Sequence, residues 1–149
     1  MKITEALVAE HRIFLSVFDQ IERVLTQMTT VAEIKALASV IEGMLESHAG
    51  TETNLAYLAL DHVMHEKGQL DQLHEEHHEI DASLRRVQQA LDCPEARSLL
   101  QTAIEASRRH FQFEEEVVFP LLERVLQDET LAELGTTWSQ RTAAMQTAV

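Results

Sequence analysis

The segment His110-Phe-Gln-Phe-Glu-Glu-Glu-Val-Val-Phe-Pro120 places acidic residues one helical turn after a histidine and follows them with an apolar run. Side chains four residues apart lie on nearly the same face of an α-helix, about 6 Å apart along its axis. His110 and Glu114 can therefore approach one metal ion together. The same spacing recurs at His48 and Glu52, so the sequence predicts two helices that carry matching polar pairs.

Around these pairs, apolar residues recur at spacings of three and four, which is typical of amphipathic helices. The composition agrees, because only four Gly and two Pro occur among 149 residues, while Leu, Ala, Glu and Gln recur throughout. The predicted helices cover about residues 4–26, 30–63, 69–91 and 95 to beyond 114. A turn is predicted at residues 65–68.

The ends of these helices carry local signals. Thr30 and Glu33 form a capping box that opens the second helix, and Pro94 suits the first turn of the fourth. Pro120 has no backbone N–H, so it is predicted to kink or end the fourth helix. Asp128 is predicted to cap a short last helix, and the tail after about residue 142 is predicted to fray.

Short connections make neighbouring helices antiparallel. The sequence therefore predicts an all-α fold, an up-down-up-down four-helix bundle with a short C-terminal helix, as a single domain over residues 1–149. A faint internal repeat supports a two-fold arrangement of the helix pairs. It aligns Glu10 and His11 with Glu76 and His77, and it aligns His48 and Glu52 with His110 and Glu114.

Composition excludes several classes of function. The formal net charge of −13 makes nucleic acid an unlikely partner. No apolar run approaches the roughly 20 residues needed to cross a bilayer, and the N-terminus has no signal-peptide pattern. These features predict a cytoplasmic protein with no membrane partner. The single cysteine, Cys93, excludes cysteine-rich zinc and iron–sulfur sites, so any metal must be held by nitrogen and oxygen atoms.

Each predicted bundle helix places one histidine on its apolar face, and the second and fourth helices each add a glutamate. These six residues are His11, His48, Glu52, His77, His110 and Glu114. A buried glutamate is costly unless a proton, a cation or a metal ion offsets its desolvation. Imidazole and carboxylate groups that converge in a helix bundle are well suited to two transition-metal ions, so the pattern predicts a metal site at the bundle centre.

The ordered set of motifs resembles the hemerythrin-like (HHE cation-binding) family, whose four-helix bundles hold a non-haem di-iron centre. The resemblance spans nearly the whole chain and rests on His11, His48-x-x-x-Glu52, Glu-His77, and His110-x-x-x-Glu114-Glu115 with Phe119-Pro120. It implies that His11 and His48 bind one iron ion, that His77 and His110 bind the other, and that Glu52 and Glu114 bridge them. An oxygen-derived or water-derived ligand, such as an oxo or hydroxo group, would lie between the irons.

Two assignments stay open within this resemblance. Family members often carry two histidines on the third helix, so we predict His77 first and His74 as an additional ligand, whereas His78 lies about 100° from His77 and is predicted to be solvated. The internal repeat favours Glu114 as the fourth-helix carboxylate. Oxygen-carrying relatives place this carboxylate five residues after the histidine, and a local helix bulge would likewise select Glu115.

The leading prediction is a protein that binds two iron ions and binds or reacts with oxygen or a related small molecule, with zinc or manganese as substitute metals. Carriage, sensing, peroxide or nitric oxide chemistry and iron storage all stay open, so enzymatic activity is undecided. One alternative is a ferritin-like di-metal oxidase, which needs Glu-x-x-His on two helices; only Glu75-x-x-His78 fits. Another is a regulatory or sensing bundle that acts through a protein partner or a weak homo-oligomer.

Overall fold

Every regular element in the described part of the chain is helical. The computed structural model describes residues 1–63 and 70–147, and the side chains of residues 145–147 are outside the description, as is the predicted turn at 65–68. The elements are α1 (Ile3–Leu25), α2 (Val31–Thr51), a first π-helical segment (Glu52–Tyr57), α3 (Leu58–Val63), α4 (Asp71–Gln89), α5 (Cys93–Phe113), a second π-helical segment (Glu114–Val118), α6 (Phe119–Val125) and α7 (Asp128–Thr147). The predicted all-α class is confirmed.

The predicted helix starts are present with their caps. The Thr30 hydroxyl accepts a hydrogen bond from the Glu33 N–H at 3.3 Å, and the Glu33 carboxylate accepts one from the Thr30 N–H at 3.0 Å, which completes the capping box at α2. At α5, the Asp92 carboxylate accepts from the Glu95 N–H at 2.9 Å, and Pro94 occupies the first turn. These bonds satisfy backbone donors that a helix N-terminus leaves free.

Two apolar clusters pack the inner faces of the helices. One cluster includes Phe14, Ile41, Ile80, Leu84 and Ile104. The other includes Leu7, Leu55, Leu73, Val118 and Leu122. Along each of the four long helical paths, the buried or half-buried histidine and glutamate positions fall between members of these two clusters. The polar residues therefore form one layer between two apolar layers, where water is largely excluded.

Each of the two π-helical segments begins at a glutamate of the polar layer. The first starts at Glu52 and the second at Glu114. A π-helical turn accommodates one extra residue and is rare outside functional sites. Because each wide turn begins at the glutamate, the four-residue spacing from the preceding histidine is kept and only the residues that follow are rotated.

Pro120 does not end the helical path. It lies in the first turn of α6, directly after the second π-helical segment, and the path continues to Val125. The first turn is the position at which a missing backbone donor is tolerated best. The rotation at this segment also changes which valine is buried, since Val118 is enclosed whereas Val117, the counterpart of Leu55 in the internal repeat, is exposed.

The third helix ends earlier than predicted. α4 stops at Gln89, and the Leu91 side chain is 91% exposed. Its counterpart in the internal repeat, Leu25, is fully buried. The reason is local, because the Leu91 N–H donates to the Glu95 carboxylate at 2.9 Å and so belongs to the capped start of α5. Val40 fits the apolar stripe that the sequence predicts for the second helix, but in the structure it is exposed, whereas its neighbour Ile41 is buried.

The last helix is longer than the predicted short helix. α7 runs for 20 residues to Thr147 and packs along α1. The Thr142 hydroxyl donates to the Trp138 carbonyl at 3.0 Å within this helix, and fraying of the tail stays a prediction. Among the helices of residues 1–63 and 70–147, none combines the length and the apolar character needed to span a membrane.

Candidate metal centre

Six side chains from six helical elements converge in the polar layer. They form two groups of four in which one nitrogen or oxygen atom of each residue lies within 4.8 Å of the others. The first group is His11, His48, Glu52 and Glu114; the second group is Glu52, His77, His110 and Glu114. The two glutamates belong to both groups. These are the six residues that the sequence predicted to share a site.

The first group is closed to solvent. His11 Nε2 lies 2.9 Å from His48 Nε2 and 3.4 Å from Glu114 Oε2. His48 Nε2 lies 3.0 Å from Glu52 Oε1. All four side chains are buried, and the Phe111 ring stacks on the His11 ring with their centroids 4.0 Å apart.

The second group has the same construction but a more open histidine. His77 Nε2 lies 2.7 Å from His110 Nε2 and 3.2 Å from Glu52 Oε2. His110 Nε2 lies 3.6 Å from Glu114 Oε2. The His77 side chain is 15% exposed, in contrast to His11, which is fully enclosed. Glu52 thus turns one oxygen toward each group, which is the geometry of a bridging carboxylate.

The outer nitrogens of three histidines face carboxylates. His11 Nδ1 lies 2.9 Å from Glu115, His48 Nδ1 lies 2.8 Å from Glu10, and His110 Nδ1 lies 2.7 Å from Glu76; these are the three outer pairs. An ionised carboxylate can only accept a hydrogen bond, so each Nδ1 carries the proton and donates. A neutral histidine held in this way presents the lone pair of its Nε2 to the centre. Such outer carboxylates orient and strengthen histidine ligands.

This arrangement fits a bound metal ion. His11 Nε2 and His48 Nε2 face each other across 2.9 Å, a contact that is favourable only when a proton or a metal ion lies between the two nitrogens. Both oxygens of Glu52 and Oε2 of Glu114 are buried without a hydrogen-bond partner among the described residues. Two atoms that bind one metal ion at about 2.1 Å, with a right angle between the two bonds, lie about 3 Å apart. This distance matches the 2.9 Å between His11 Nε2 and His48 Nε2.

The comparison with protein families agrees with the geometry. The family model of the hemerythrin HHE cation-binding domain matches residues 2–132. The chain belongs to this family. Searches of curated proteins and of solved structures gave no match to it. As a hemerythrin-like protein with two His/Glu groups of this geometry, the chain has the makeup of a metal-binding domain.

The pKa values of the two central glutamates in the hemerythrin-like site are shifted in opposite directions. Burial raises the pKa of Glu114 well above its usual value, and the charge of Glu52 raises it further. Burial also opposes ionisation of Glu52, but His48, His11 and His77 outweigh it and hold the pKa of Glu52 well below its usual value. When two carboxyl groups lie this close together, ionisation of one of them is much more favourable than ionisation of both. Without a metal ion, Glu52 is therefore the more readily ionised carboxyl of the pair and Glu114 the one that holds a proton more strongly.

The histidines of the two groups also differ. Burial, the largest influence on His48, disfavours its charged form, but the charges of Glu52 and Glu10 raise its pKa to about 9. Burial lowers the pKa of His110, and the nearby carboxylates do not reverse the shift. At neutral pH in the absence of metal, His48 is therefore charged and His110 is neutral. A positive charge is already held in the first group where a metal ion would replace it.

Metal binding by this site is expected to release protons. A ligand histidine must be neutral and a ligand carboxylate ionised, so His48 must lose a proton on binding, and the raised pKa of Glu114 favours further release. Release of about one proton or more per fully loaded chain is expected at pH 7, measured by titration calorimetry in buffers of different ionisation enthalpy. The apparent affinity is expected to rise with pH up to about 9, where His48 becomes neutral on its own. Loading with no proton release, or affinity independent of pH between 6 and 9, would contradict this assignment.

The same shift sets a pH dependence for the metal-free protein. The pKa of His48 is raised from 6.5 to about 9 on folding. The stability that His48 contributes is therefore fully present below pH 6.5 and is lost as the pH rises through 9.

The structure also places the residues whose roles were open. Glu114 belongs to both groups, whereas the half-exposed Glu115 contacts the outer nitrogen of His11. His78 is exposed, as expected of a solvated side chain. His74 is half-buried and contacts the Tyr57 ring edge-on at 5.6 Å, but it belongs to neither group. Its assignment as an additional ligand stays a prediction.

Three residues that contact the central side chains were not predicted from the sequence as part of the site. Glu10 and Glu76 each precede a ligand histidine on α1 and α4, and each contacts the histidine of the next helix in the chain. The internal repeat, which aligns Glu10 with Glu76, was the signal that could have identified them. The third is Tyr57, whose buried hydroxyl donates to Glu114. Burial and the adjacent carboxylates raise the pKa of Tyr57, so it remains a donor throughout the accessible pH range.

A cavity of about 380 Å³ lies against the second group. Its wall includes His77 and His110 of that group, the apolar side chains of Ile80 and Leu84, and the polar side chain of Thr53. Thr53 occupies the place in the internal repeat where Glu115 stands in the other half. His48 of the first group also borders this cavity, so the two halves differ mainly in exposure: the His77 side chain is 15% exposed, whereas the His48 side chain is 2% exposed.

Proposed function

We propose that the helices form an antiparallel up-down-up-down bundle, with α1, α2, α4 and α5 as its four members and α7 as an added helix on α1. Contacts of α4 with α5, α2 with α4 and α5, and α1 with α2 and α5 support this arrangement. The six converging side chains come from all four members or from the segments that continue them. A bundle of this kind presents ligands from facing helices to one centre.

In this proposal, the protein holds two iron ions. His11 and His48 would hold one ion, His77 and His110 would hold the other, and Glu52 and Glu114 would be shared by both; these are the proposed ligands. The observation that carries the proposal is the pair of inward-facing imidazole nitrogens 2.9 Å apart, beside three buried carboxylate oxygens that have no hydrogen-bond partner among the described residues. Iron supplies a redox-active centre that can bind oxygen or a related small molecule when coordination positions are open.

The unequal halves support a direction of approach for that small molecule. The first group is covered by Phe111 and Phe14, and His11 has no exposed surface. The second group borders the cavity, where His77 is partly exposed. We place the exchangeable ligand on the His77 side. The Tyr57 hydroxyl holds Glu114 on the opposite oxygen from the two histidines, which keeps that carboxylate oriented while the ligand exchanges.

The proposal includes the cytoplasm as the compartment. Cys93 is a free thiol, which suits a reducing environment. Two carboxylate ligands with four histidines also suit ferrous iron, and zinc or manganese would occupy the same donors where iron is scarce.

Metal analysis with visible spectroscopy tests this function. Protein purified without oxygen from iron-supplied cells is expected to carry close to two iron ions per chain and to gain a charge-transfer band when oxygen is admitted. His77→Ala is expected to lose most of the bound iron. His62→Ala is the matched control, because His62 is exposed and only its Nδ1 contacts the Leu58 carbonyl, at 3.2 Å. Absence of any bound transition metal, or equal iron loss in both variants, would refute the proposal.

A further inference from the structure

One carboxylate links the last helix to the site. The Trp138 indole N–H on α7 donates to Glu10 Oε1 at 3.1 Å, and Glu10 Oε2 accepts from His48 Nδ1 at 2.8 Å. Trp138 lies beyond residues 2–132, the part of the chain that the family model matches. The contact therefore joins the matched domain to a residue outside it.

α7 is held against α1 at two further points. At its start, the Asp128 carboxylate pairs with Lys2 Nζ at 2.7 Å. Further along, Gly135 passes so close to the N-terminus that a Cβ would overlap the Met1 carbonyl oxygen and would lie 3.1 Å from the Lys2 carbonyl carbon. The approach requires glycine, because both neighbours are backbone atoms that cannot turn aside. These contacts set the position of Trp138 over Glu10.

The equivalent carboxylate in the second half has no such link. Glu76 Oε2 accepts from His110 Nδ1 as Glu10 does from His48, but Glu76 Oε1 accepts from Gln72 on its own helix at 3.0 Å. The orientation of Glu76 is thus set within α4. Of these two carboxylates, Glu10 is thus the one that accepts a hydrogen bond from α7.

We propose that α7 is a positioning element for the first metal position and that its docking is coupled to metal loading. Trp138 fixes Glu10, and Glu10 fixes the His48 ring with Nε2 toward the centre. A ring held in this way loses less freedom when it binds a metal ion. Coupling of two equilibria is reciprocal, so a metal ion on His48 also stabilises the docked α7. This inference rests on the proposed metal binding and gives the protein a means of reporting metal loading at its surface.

Zinc affinity tests the positioning role. Zn²⁺ is the probe because it has no redox chemistry and binds nitrogen and oxygen donors. Loss of an outer partner of a histidine ligand weakens metal binding roughly 10- to 100-fold. Glu10→Ala is therefore expected to weaken zinc binding by a factor in that range, and Trp138→Phe is expected to weaken it about 10-fold or less. Gly135→Ala is expected to weaken binding through α7 displacement. Gly43→Ala is its control, because a Cβ at Gly43 meets no atom within 4 Å.

The coupling has a readout that a merely structural role would not change. Trp138 is the only tryptophan in the chain, so its fluorescence reports on α7 alone. Zinc is expected to alter the emission of the wild-type protein and to slow hydrogen exchange of α7 amides, and both responses are expected to shrink in Glu10→Ala. Phenylalanine keeps an aromatic ring at position 138, so Trp138→Phe is expected to stay folded, which circular dichroism checks.

The outcomes separate the inference from the function on which it rests. Wild-type zinc affinity in both Glu10→Ala and Trp138→Phe would overturn the positioning role and leave the metal site intact. Zinc binding without any change in α7 exchange would overturn the coupling. A wild-type protein that binds neither zinc nor iron would overturn the proposed function and this inference together.

Discussion

Replacement of Glu52 by glutamine is expected to abolish loading with two metal ions. Glu52 is the only residue that turns a separate oxygen toward each group, with Oε1 3.0 Å from His48 Nε2 and Oε2 3.2 Å from His77 Nε2. Glutamine keeps the size of the side chain but removes the charge and one of the two oxygen donors. Because removal of a partner one step outside a metal site costs roughly 10- to 100-fold, loss of this shared ligand is expected to cost more than about 100-fold.

Thermal unfolding provides a second measurement of the same change. A ligand present at 1,000 times its dissociation constant stabilises the folded state by about 4 kcal/mol. For a chain of this size, this corresponds to a rise of roughly 8–16 °C in the melting temperature. The wild-type protein is expected to show such a rise on anaerobic addition of ferrous iron, and Glu52→Gln is expected to show little or none.

Glu105→Gln is the matched control for this loss. Glu105 is exposed on α5, so the substitution makes the same change of charge away from the site. Its iron content and melting temperature are expected to equal those of the wild-type protein. If Glu52→Gln retains two iron ions and the full rise in melting temperature, Glu52 does not bridge the two groups.

The convergence of the six central side chains could be predicted from sequence because each of them lies in a strong helical pattern. The histidines interrupt apolar stripes of period three to four, and two glutamates follow histidines at the spacing that keeps them on the same face. Packing of those stripes against one another brings the six side chains together with no further information. The family match over residues 2–132 confirms the resemblance on which the ligand roles were based.

The π-helical segments could not be predicted, because a wide helical turn leaves no mark in composition or spacing. A bulge was expected to favour Glu115 over Glu114, yet a π-helical segment is present and Glu114 belongs to both groups. The reason is the position of the wide turn. It begins at Glu114 and so leaves the spacing from His110 unchanged, while Glu115 is directed to the outer nitrogen of His11.

Contacts between distant segments were the other part that the sequence did not reveal. The hydrogen bond from Trp138 to Glu10 joins residues 128 positions apart, and nothing local to either residue indicates it. The exposure of Leu91 was hidden for a different reason. Its place in the apolar stripe of the third helix favoured burial, but the hydrogen bonds that cap the start of α5 place Leu91 in the connection between α4 and α5. A local cap can thus override an apolar pattern at the end of a helix.

The second large effect is expected at Phe111, which joins the site to the apolar layer. Its buried ring stacks on His11 with centroids 4.0 Å apart and contacts the rings of Phe14, Phe18 and His48. Phe111→Ala removes this packing from a buried position beside the cavity of about 380 Å³, which Phe111 helps to line. Truncation of a buried phenylalanine costs about 3–5 kcal/mol, so we expect the metal-free protein to lose that much free energy of unfolding in urea.

Phe113→Ala is the control, because Phe113 is two residues away on the same helix and its side chain is 39% exposed. Its loss is expected to be below about 1 kcal/mol, since a partly solvated ring gives up little contact. The difference between the variants should widen when metal is bound, because without Phe111 the ordering of the His11 ring rests on Glu115, Phe119 and the metal ion. Equal losses in the two variants would show that the Phe111 ring does not hold His11, and the closed character of the first group would need another cause.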